Sequence, residues 1–393
     1  MPLSDIRVAD FSQVLAGPFA GQLLGDLGAE VIKVEPPEGD SARVQMPVPG
    51  ANGSGVTFLT FNRNKRSLVL DITKPKGRGI AYSLVGWADV VIMNMRIGAR
   101  QRHGFTYEDL AAINPRIIYV SITGYGENGP DADLGGADVV IQARAGDLDA
   151  RRPPEGPPPA STAMVHFDMA TALLSLSGVL LALREREHTG VGQKVEVNLL
   201  QTALALQARQ ITRIVGSDLA FPGNQPRASS NYQCSDGKYI YAPHGGERWD
   251  TYCRAVGLTS LVTDPRFDTN EKRTQQAQEL SAILARQFFT RPAAEWETVL
   301  KAKGLGVTVV RSFSDVHDDP QVIANQMVLQ YHHPGVGQVK VINFPFQMSG
   351  IPAGEIAVRR PPPTKGEHTD EVLRELGHAA QEIASLREEG VVA

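Results

Sequence analysis

The chain has 393 residues, enough for two or three domains with sizeable cores. Apolar residues make up 42% and charged residues 21%, an ordinary globular balance, and a net charge of −4 supplies no global basic field for nucleic acid. Two cysteines, Cys234 and Cys253, neither build a disulfide framework nor have the spacing of a zinc site, so no metal is expected and a reducing, cytoplasmic setting is.

The N-terminal segment lacks the basic-then-apolar pattern of a secretory signal. Ile6–Phe11 is a short apolar run, and Gly17–Leu27 has helical spacing at Phe19, Leu23, Leu24 and Leu27. Glu30–Glu35 is β-rich. Ser67–Leu70, Asp89–Met93 and Ile117–Ile122 repeat the pattern, with helices expected near 76–87 and 107–112. Strands alternating with helices predict a parallel sheet covered on both faces. Residues 123–165 break this rhythm with many Gly and Pro, Pro153, Pro154, Pro157, Pro158 and Pro159 among them, and read as a long functional loop. A strong helix is expected over 168–187, closed by Thr189-Gly190, then a strand at Gln193–Val197 and a helix over 199–215. The most apolar stretch, Ala170 to Leu183, is broken by Thr and Ser and is short of the roughly 18 residues of a membrane span, so no span is expected.

Residues 216–231 read as a linker and 232–325 as a smaller α+β domain, with a strand at Tyr239–Tyr241 and helices near 248–256, 274–289 and 293–303. Residues 326–360 read as β-rich connectors. Thr369–Gly390 is helical and too short to stand alone, so 326–393 is expected to return to the large domain begun by 1–215. The expected fold class is therefore α/β, a Rossmann-like parallel sheet in the large domain with a smaller α+β domain beside it.

The turn after the first strand, Ser12-Gln13-Val14-Leu15-Ala16-Gly17-Pro18, has no G-x-G-x-x-G, which argues against a dinucleotide site despite acidic Glu35 at the end of the second strand. Six cations, Arg63, Lys65, Arg66, Lys74, Lys76 and Arg78, fall within residues 62–78, and Arg96, Arg100, Arg102 and His103 follow the strand ending at Met93. Both clusters fit either a solvated basic face or a phosphate site at sheet ends. Asp168 at the start of the long helix fits either a helix cap or a nucleophile collared by Met164, Val165, Phe167 and Met169. His166 lacks a Ser or Cys nucleophile elbow to serve, and His332-His333 and Asp318-Asp319 lack metal-ligand spacing. His244-Gly245-Gly246-Glu247 reads as an ordinary turn or as a mobile covering loop.

Taken together, several segments resemble the family III CoA-transferases, the group that includes formyl-CoA:oxalate and carnitine CoA-transferases. They are Ala16-Gly17-Pro18, the run Leu27 to Glu35, Asn62 to Ser67, Ala88-Asp89-Val90-Val91 with Asn94, Thr189-Gly190-Val191-Gly192-Gln193, and Gly366-Glu367-His368-Thr369-Asp370. The resemblance implies that Asp168 is the nucleophile. It implies CoA contacts at Val14, Leu15 and Ala16, at Leu70, Asp71, Ile72, Thr73 and Lys74, at Asn94, Met95, Arg96 and Arg102, and at Ala137. It further implies an acyl-CoA donor, a carboxylate acceptor and an interlocked homodimer, with backbone donors near Ala16–Gly17 and the 244–247 loop for developing oxyanions.

The chain departs from the family at Met95-Arg96-Ile97, where an aromatic and a proline are usual. It departs again at Pro36, where some members carry a cation, and at Phe167, where Gly is common. Two alternatives share the fold. An α-methylacyl-CoA racemase would need a His where this chain has Ala137, and alanine cannot move a proton. A non-catalytic CoA-binding protein would keep the cations without needing Asp168.

Overall fold

The computed structural model describes residues 1–49, 54–153, 156–161, 164–216, 230–244, 248–351 and 358–393. Six strands form one sheet: β1 (Arg7–Asp10), β2 (Glu30–Glu35), β3 (Lys65–Val69), β4 (Val90–Met93), β5 (Ile118–Thr123) and β6 (Lys194–Asn198). Their order is β3-β2-β1-β4-β5-β6 and every pairing is parallel. The mixed α/β architecture with a parallel sheet agrees with the alternation read along the chain. A run such as Val-Val-Ile-Met in β4 is buried at every position, as expected of a sheet covered on both faces.

The helices supply those covers. They are α1 (Ala16–Asp26), α2 (Val56–Phe61), α3 (Pro75–Trp87), α4 (Ile97–His103), α5 (Tyr107–Ile113), α6 (Asp138–Arg144), α7 (Asp147–Ala150), α8 (His166–Thr189), α9 (Leu199–Leu206) and α10 (Ala208–Ile211). On one face Leu23 and Leu24 of α1 and Leu176 and Val179 of α8 pack against Val8, Ile92 and Val120. On the other, Ile80 and Leu84 of α3 and Leu110 of α5 pack against Ile32, Val91 and Tyr119.

The chain divides into two compact units, one of residues 1–151, 158–217 and 324–393, the other of 152–157 and 218–323. The second holds a small antiparallel sheet of Asn231–Gln233, Tyr239–Tyr241 and Thr308–Val309, with Trp249, Tyr252, Phe288 and Trp296 in its core. In the first, Val328–His333 and Gly337–Ile342 form a hairpin. The C-terminal helices Thr369–Glu375 and Ala380–Glu388 place Val372, Leu373, Ile383 and Leu386 in the same core as Ile80 and Leu84 of α3. Arg66 of β3 ties this segment down through Glu371 and Glu375, each at 2.7 Å.

Three expectations need correction. Residues 123–165 are not one loop, because α6 and α7 lie within them. Their seven and four residues are too short to register as a hydrophobic period. The helix expected over 199–215 ends at Ile211, with a break at Gln207. Finally, α8 is long and apolar enough to pass as a membrane span by length and composition. Its Phe167, Ala172, Leu176, Val179 and Ala182 face the core instead, whereas Leu174 and Leu181 are exposed.

Candidate active site

The chain runs outward from β1 through β2 to β3, then returns to β4 on the other side of β1. This reversal opens a crevice beyond the carboxyl ends of β1 and β4, the place where open α/β sheets bind ligands. A cleft of about 450 Å³ lies there. Its walls include Val14, Leu15 and Ala16 after β1, Asn94, Met95 and Arg96 after β4, Ala137 and Asp138 at the start of α6, and Asp168 on α8. A second cleft of about 410 Å³ is lined by Leu70, Asp71, Ile72 and Thr73 after β3, with Pro36, Pro37 and His103. The two share Gln13 and Met95 in their walls.

Twelve of the fourteen residues singled out from the sequence thus reach one cleft or the other. Lys74 and Arg102 line neither. The Lys74 ammonium donates to the carbonyls of Glu389 and Gly390 at 2.7 and 2.9 Å, and the Arg102 guanidinium lies beside Gly98, next to Ile97 of the first cleft.

The loop after β1 is clamped from both sides. Asn94 Oδ1 accepts the N–H of Gln13 at 2.9 Å, and its Nδ2 donates to the Gln13 carbonyl at 2.7 Å. Asp40 Oδ1 accepts the N–H of Val14 at 3.1 Å. Gly17 is required here, since a Cβ would fall 2.2 Å from that of Ser12. The loops after β5 and before α6 also meet through glycines. A Cβ on Gly136 would stand 2.3 Å from Cα of Gly124, so only this pair lets Ala137 and Asp138 reach the cleft.

Asp168 lies in the first turn of α8, but its side chain caps nothing, which corrects the cap reading. The capping carboxylate is Asp138, whose Oδ2 accepts the N–H groups of Phe167 and Asp168 at 2.7 and 2.9 Å. Burial, and then the Asp138 charge, push the Asp168 carboxyl up to about 7. Such a carboxylate is poorly solvated in its ionised form.

The cation cluster of residues 62–78 is mostly committed to internal partners, which corrects its reading as a phosphate site. Arg63 pairs with Asp26 at 2.6 Å and Lys65 with Asp10 at 2.8 Å, all four buried, and Arg66 joins Glu371 and Glu375. Arg100 is likewise buried against Ser121 and Glu127. Among the described residues Arg96, Arg102 and His103 have no ion-pair partner, and buried His103 Nδ1 has no hydrogen-bond partner. Glu35, acidic at the end of β2, is held by Arg43 through two 2.7 Å contacts.

Lys33, Asp40 and Asp138 were missed as parts of the site. Lys33 shares a face with Glu35 in a strand whose other buried residues are Val and Ile, a buried-charge signal that sequence could have raised. Asp138 had no such signal. Gly245, Gly246 and Glu247 of the segment read as a turn or a covering loop, and 217–229 of the linker, lie outside the described residues.

Fold and site thus define a Rossmann-like α/β protein with a partly buried carboxylate, raised in pKa, at the switch point of its sheet. The chain belongs to CoA-transferase family III, whose family model matches residues 3–369. Its relatives include a mouse (Mus musculus) succinyl-CoA:glutarate CoA-transferase, 33% identical over 95% of this chain and 86% of the relative. A Streptomyces coelicolor formyl-CoA:oxalate CoA-transferase is 32% identical over 99% of each chain. Among solved structures, a CAIB/BAIF family protein from Brucella suis superposes with a TM-score of 0.84 at 32% identity, covering 96% of this chain and 99% of that one. Rv3272 from Mycobacterium tuberculosis superposes at 0.81 and 34% identity, covering 94% and 98%. CoA-transferases of this family take CoA thioesters as substrates, consistent with a ligand that spans two adjoining clefts.

Proposed function

We propose that the chain exchanges CoA between two small carboxylic acids by covalent catalysis at Asp168. The observation that carries this reading is the placement of a half-buried carboxylate, raised to about 7, in the wall of the switch-point cleft. The Asp168 carboxylate attacks the donor thioester carbonyl, CoA leaves as thiolate, and a mixed anhydride forms. The thiolate then attacks the Asp168 carbonyl of the anhydride, giving an aspartyl-CoA thioester and releasing the donor acid. The acceptor carboxylate attacks that thioester, and the freed thiolate takes the acceptor's acyl group from the second anhydride. Two easier steps replace one difficult exchange in each direction.

The chain's own residues support each requirement. The uncapped start of α1 at Ala16 leaves backbone amides beside the cleft for developing oxyanions. The second cleft, at Leu70 to Thr73, suits the nucleotide end of CoA, with the His103 imidazole in its wall and the Arg96 and Arg102 guanidiniums nearby, neither in an ion pair among the described residues. Ala137 lines the first cleft where a racemase would need its base.

The assembly belongs to the same reading. The second unit is an insertion in the first, and α8 to α10 expose Leu174, Leu181, Leu206 and Ile211. A second copy of the chain, interlocked with the first as the family resemblance implies, would cover them.

A panel of acyl-CoA donors against carboxylate acceptors, read by mass spectrometry, identifies the acids. Hydroxylamine quenching should map the adduct to Asp168, and Asp168→Ala should abolish transfer while remaining folded. Substantial transfer by that variant overturns the proposal.

A further inference from the structure

Asp138 has more to do than cap a helix. It is 3% exposed, and its hydrogen-bond partners among the described residues are all donors, the partners an ionised carboxylate takes. Oδ2 receives the two backbone N–H groups at the start of α8. Oδ1 receives Nε2 of Gln142 at 2.6 Å, and the same amide donates to the Met164 carbonyl at 3.1 Å. Gln142 is itself fully buried, and Arg151 Nη2 approaches its Oε1 at 3.4 Å. The side chain that presents Asp138 is therefore tied both to α6 and to the segment that enters α8.

The consequence concerns the field at the nucleophile. The N-terminus of a 24-residue helix ordinarily favours an anion in its first turn. Here Asp138 has taken the amides that would serve Asp168, and has set its own charge in their place. The other charged or titratable groups at this end are Arg96 on the cleft wall, the Asp147–Arg151 pair, and His166. Asp147 is paired with Arg151, and it lies 3.8 Å from His166 Nε2. From α1 and α9 the cleft receives only Ala16 and Leu199.

We propose that Asp138 is a positioning residue whose charge, held in place by Gln142, disfavours the free Asp168 carboxylate and so favours its neutral covalent forms. This rests on the reading of Asp168 as nucleophile. When Asp168 attacks the thioester, its negative charge passes to the departing thiolate. When the thiolate closes on the anhydride, the charge leaves with the donor acid. In both intermediates Asp168 is neutral and no longer opposes Asp138. The free anion alone carries the repulsion, so the covalent states gain relative to it, and the anion is the more nucleophilic for being destabilised.

The test separates this inference from the nucleophile assignment by reading the charge state of Asp168 without turnover. Carbodiimide with glycine ethyl ester labels protonated carboxyls, and peptide mass spectrometry follows the label on Asp168 from pH 4 to 9. The wild-type midpoint should lie near the value of about 7 given above. Asp138→Asn should move it at least about one unit lower, a tenfold loss of protonated Asp168 on the alkaline side. Asp138→Glu, which keeps the charge and alters the geometry, should leave the midpoint in place. Gln142→Leu releases Oδ1 of Asp138, lets that carboxylate turn away from Asp168, and should move the midpoint the same way by less. That variant serves if Asp138→Asn fails to fold.

With succinyl-CoA as the probe donor, the share of protein trapped as aspartyl adduct should fall in parallel with the midpoint. A wild-type midpoint in the ordinary carboxylate range overturns the inference. So does an unmoved midpoint in both Asp138→Asn and Gln142→Leu, or a shift in Asp138→Glu as large as that in Asp138→Asn. A shifted midpoint with no adduct from succinyl-CoA or any other donor of the panel overturns the nucleophile reading instead.

Discussion

The carboxylate of Asp40 accepts the backbone N–H of Val14 at 3.1 Å, and Val14 stands at φ 75°, a left-handed conformation that β-branched residues seldom adopt. Strain of this kind persists where surrounding structure over-determines it, and it clusters at functional sites. The supports are visible. Lys33 Nζ lies 2.7 Å from Asp40 Oδ2 and donates to the Ser12 carbonyl, while Asn94 grips Gln13. Burial opposes the charge on Lys33, but Asp40, Asp10 and Glu35 together hold its pKa above the ordinary value.

Asp40→Ala should therefore release the loop and leave Lys33 without its nearest anion. Breaking a buried pair from one side costs about 3–5 kcal/mol. Denaturant unfolding should show a loss of that size, and calorimetric titration should show weaker CoA binding by the folded fraction. An unchanged unfolding midpoint would mean that Asp40 does not hold the loop.

Asp168 makes the opposite prediction for stability. Its folded pKa of about 7 is raised from an ordinary 3.8, by burial first and then by Asp138. Between those values the folded state holds a proton that the unfolded state has released, so stability falls as pH rises through this window. Above about pH 7 the full cost is present, on the order of 1–3 kcal/mol after allowance for partial solvent contact. Asp168→Asn carries no such charge. Its melting temperature should exceed that of wild type at pH 8, and the advantage should vanish below pH 4. A constant difference across the range would locate the effect in packing.

The two fates of the cations make a paired prediction. Arg63→Ala leaves Asp26 buried without its partner and should lower stability by about 3–5 kcal/mol. CoA affinity of the folded protein should barely change. Arg102→Ala, exposed and with no ion-pair partner among the described residues, should leave the melting temperature in place. It should weaken CoA binding by about 1.5–3 kcal/mol, with a reduced dependence on salt. Reversed outcomes would show that the 62–78 cluster faces the ligand after all.

Interlocked subunits should not exchange without unfolding, because one chain would have to open to release the other. Light and isotopically heavy protein mixed under native conditions should stay unmixed by native mass spectrometry and form mixed dimers only after denaturation and refolding. Free exchange at room temperature, or a monomer at micromolar concentration, would remove the interlocking.

Much of this was legible in the chain itself. The alternation of short Val- and Ile-rich runs with helical periods at Phe19–Leu27 and 76–87 specifies a parallel sheet, because a strand buried on both faces must be apolar at every position. The segments at each strand end name the family and most cleft residues, since loops at carboxyl ends are local stretches of sequence. The partners of Arg63, Lys65 and Arg66 could not be read this way. Asp26, Asp10, Glu371 and Glu375 stand 37 to 309 positions away, and whether a cation meets a carboxylate or a phosphate depends on which loops fold back over it. Asp168 shows the same division. Sequence placed a carboxylate at the start of a long helix, where a cap is the ordinary expectation. Only tertiary structure brought Asp138 across 30 positions onto the amide of Asp168, and burial, with the Asp138 charge added to it, then makes the Asp168 carboxyl hard to ionise.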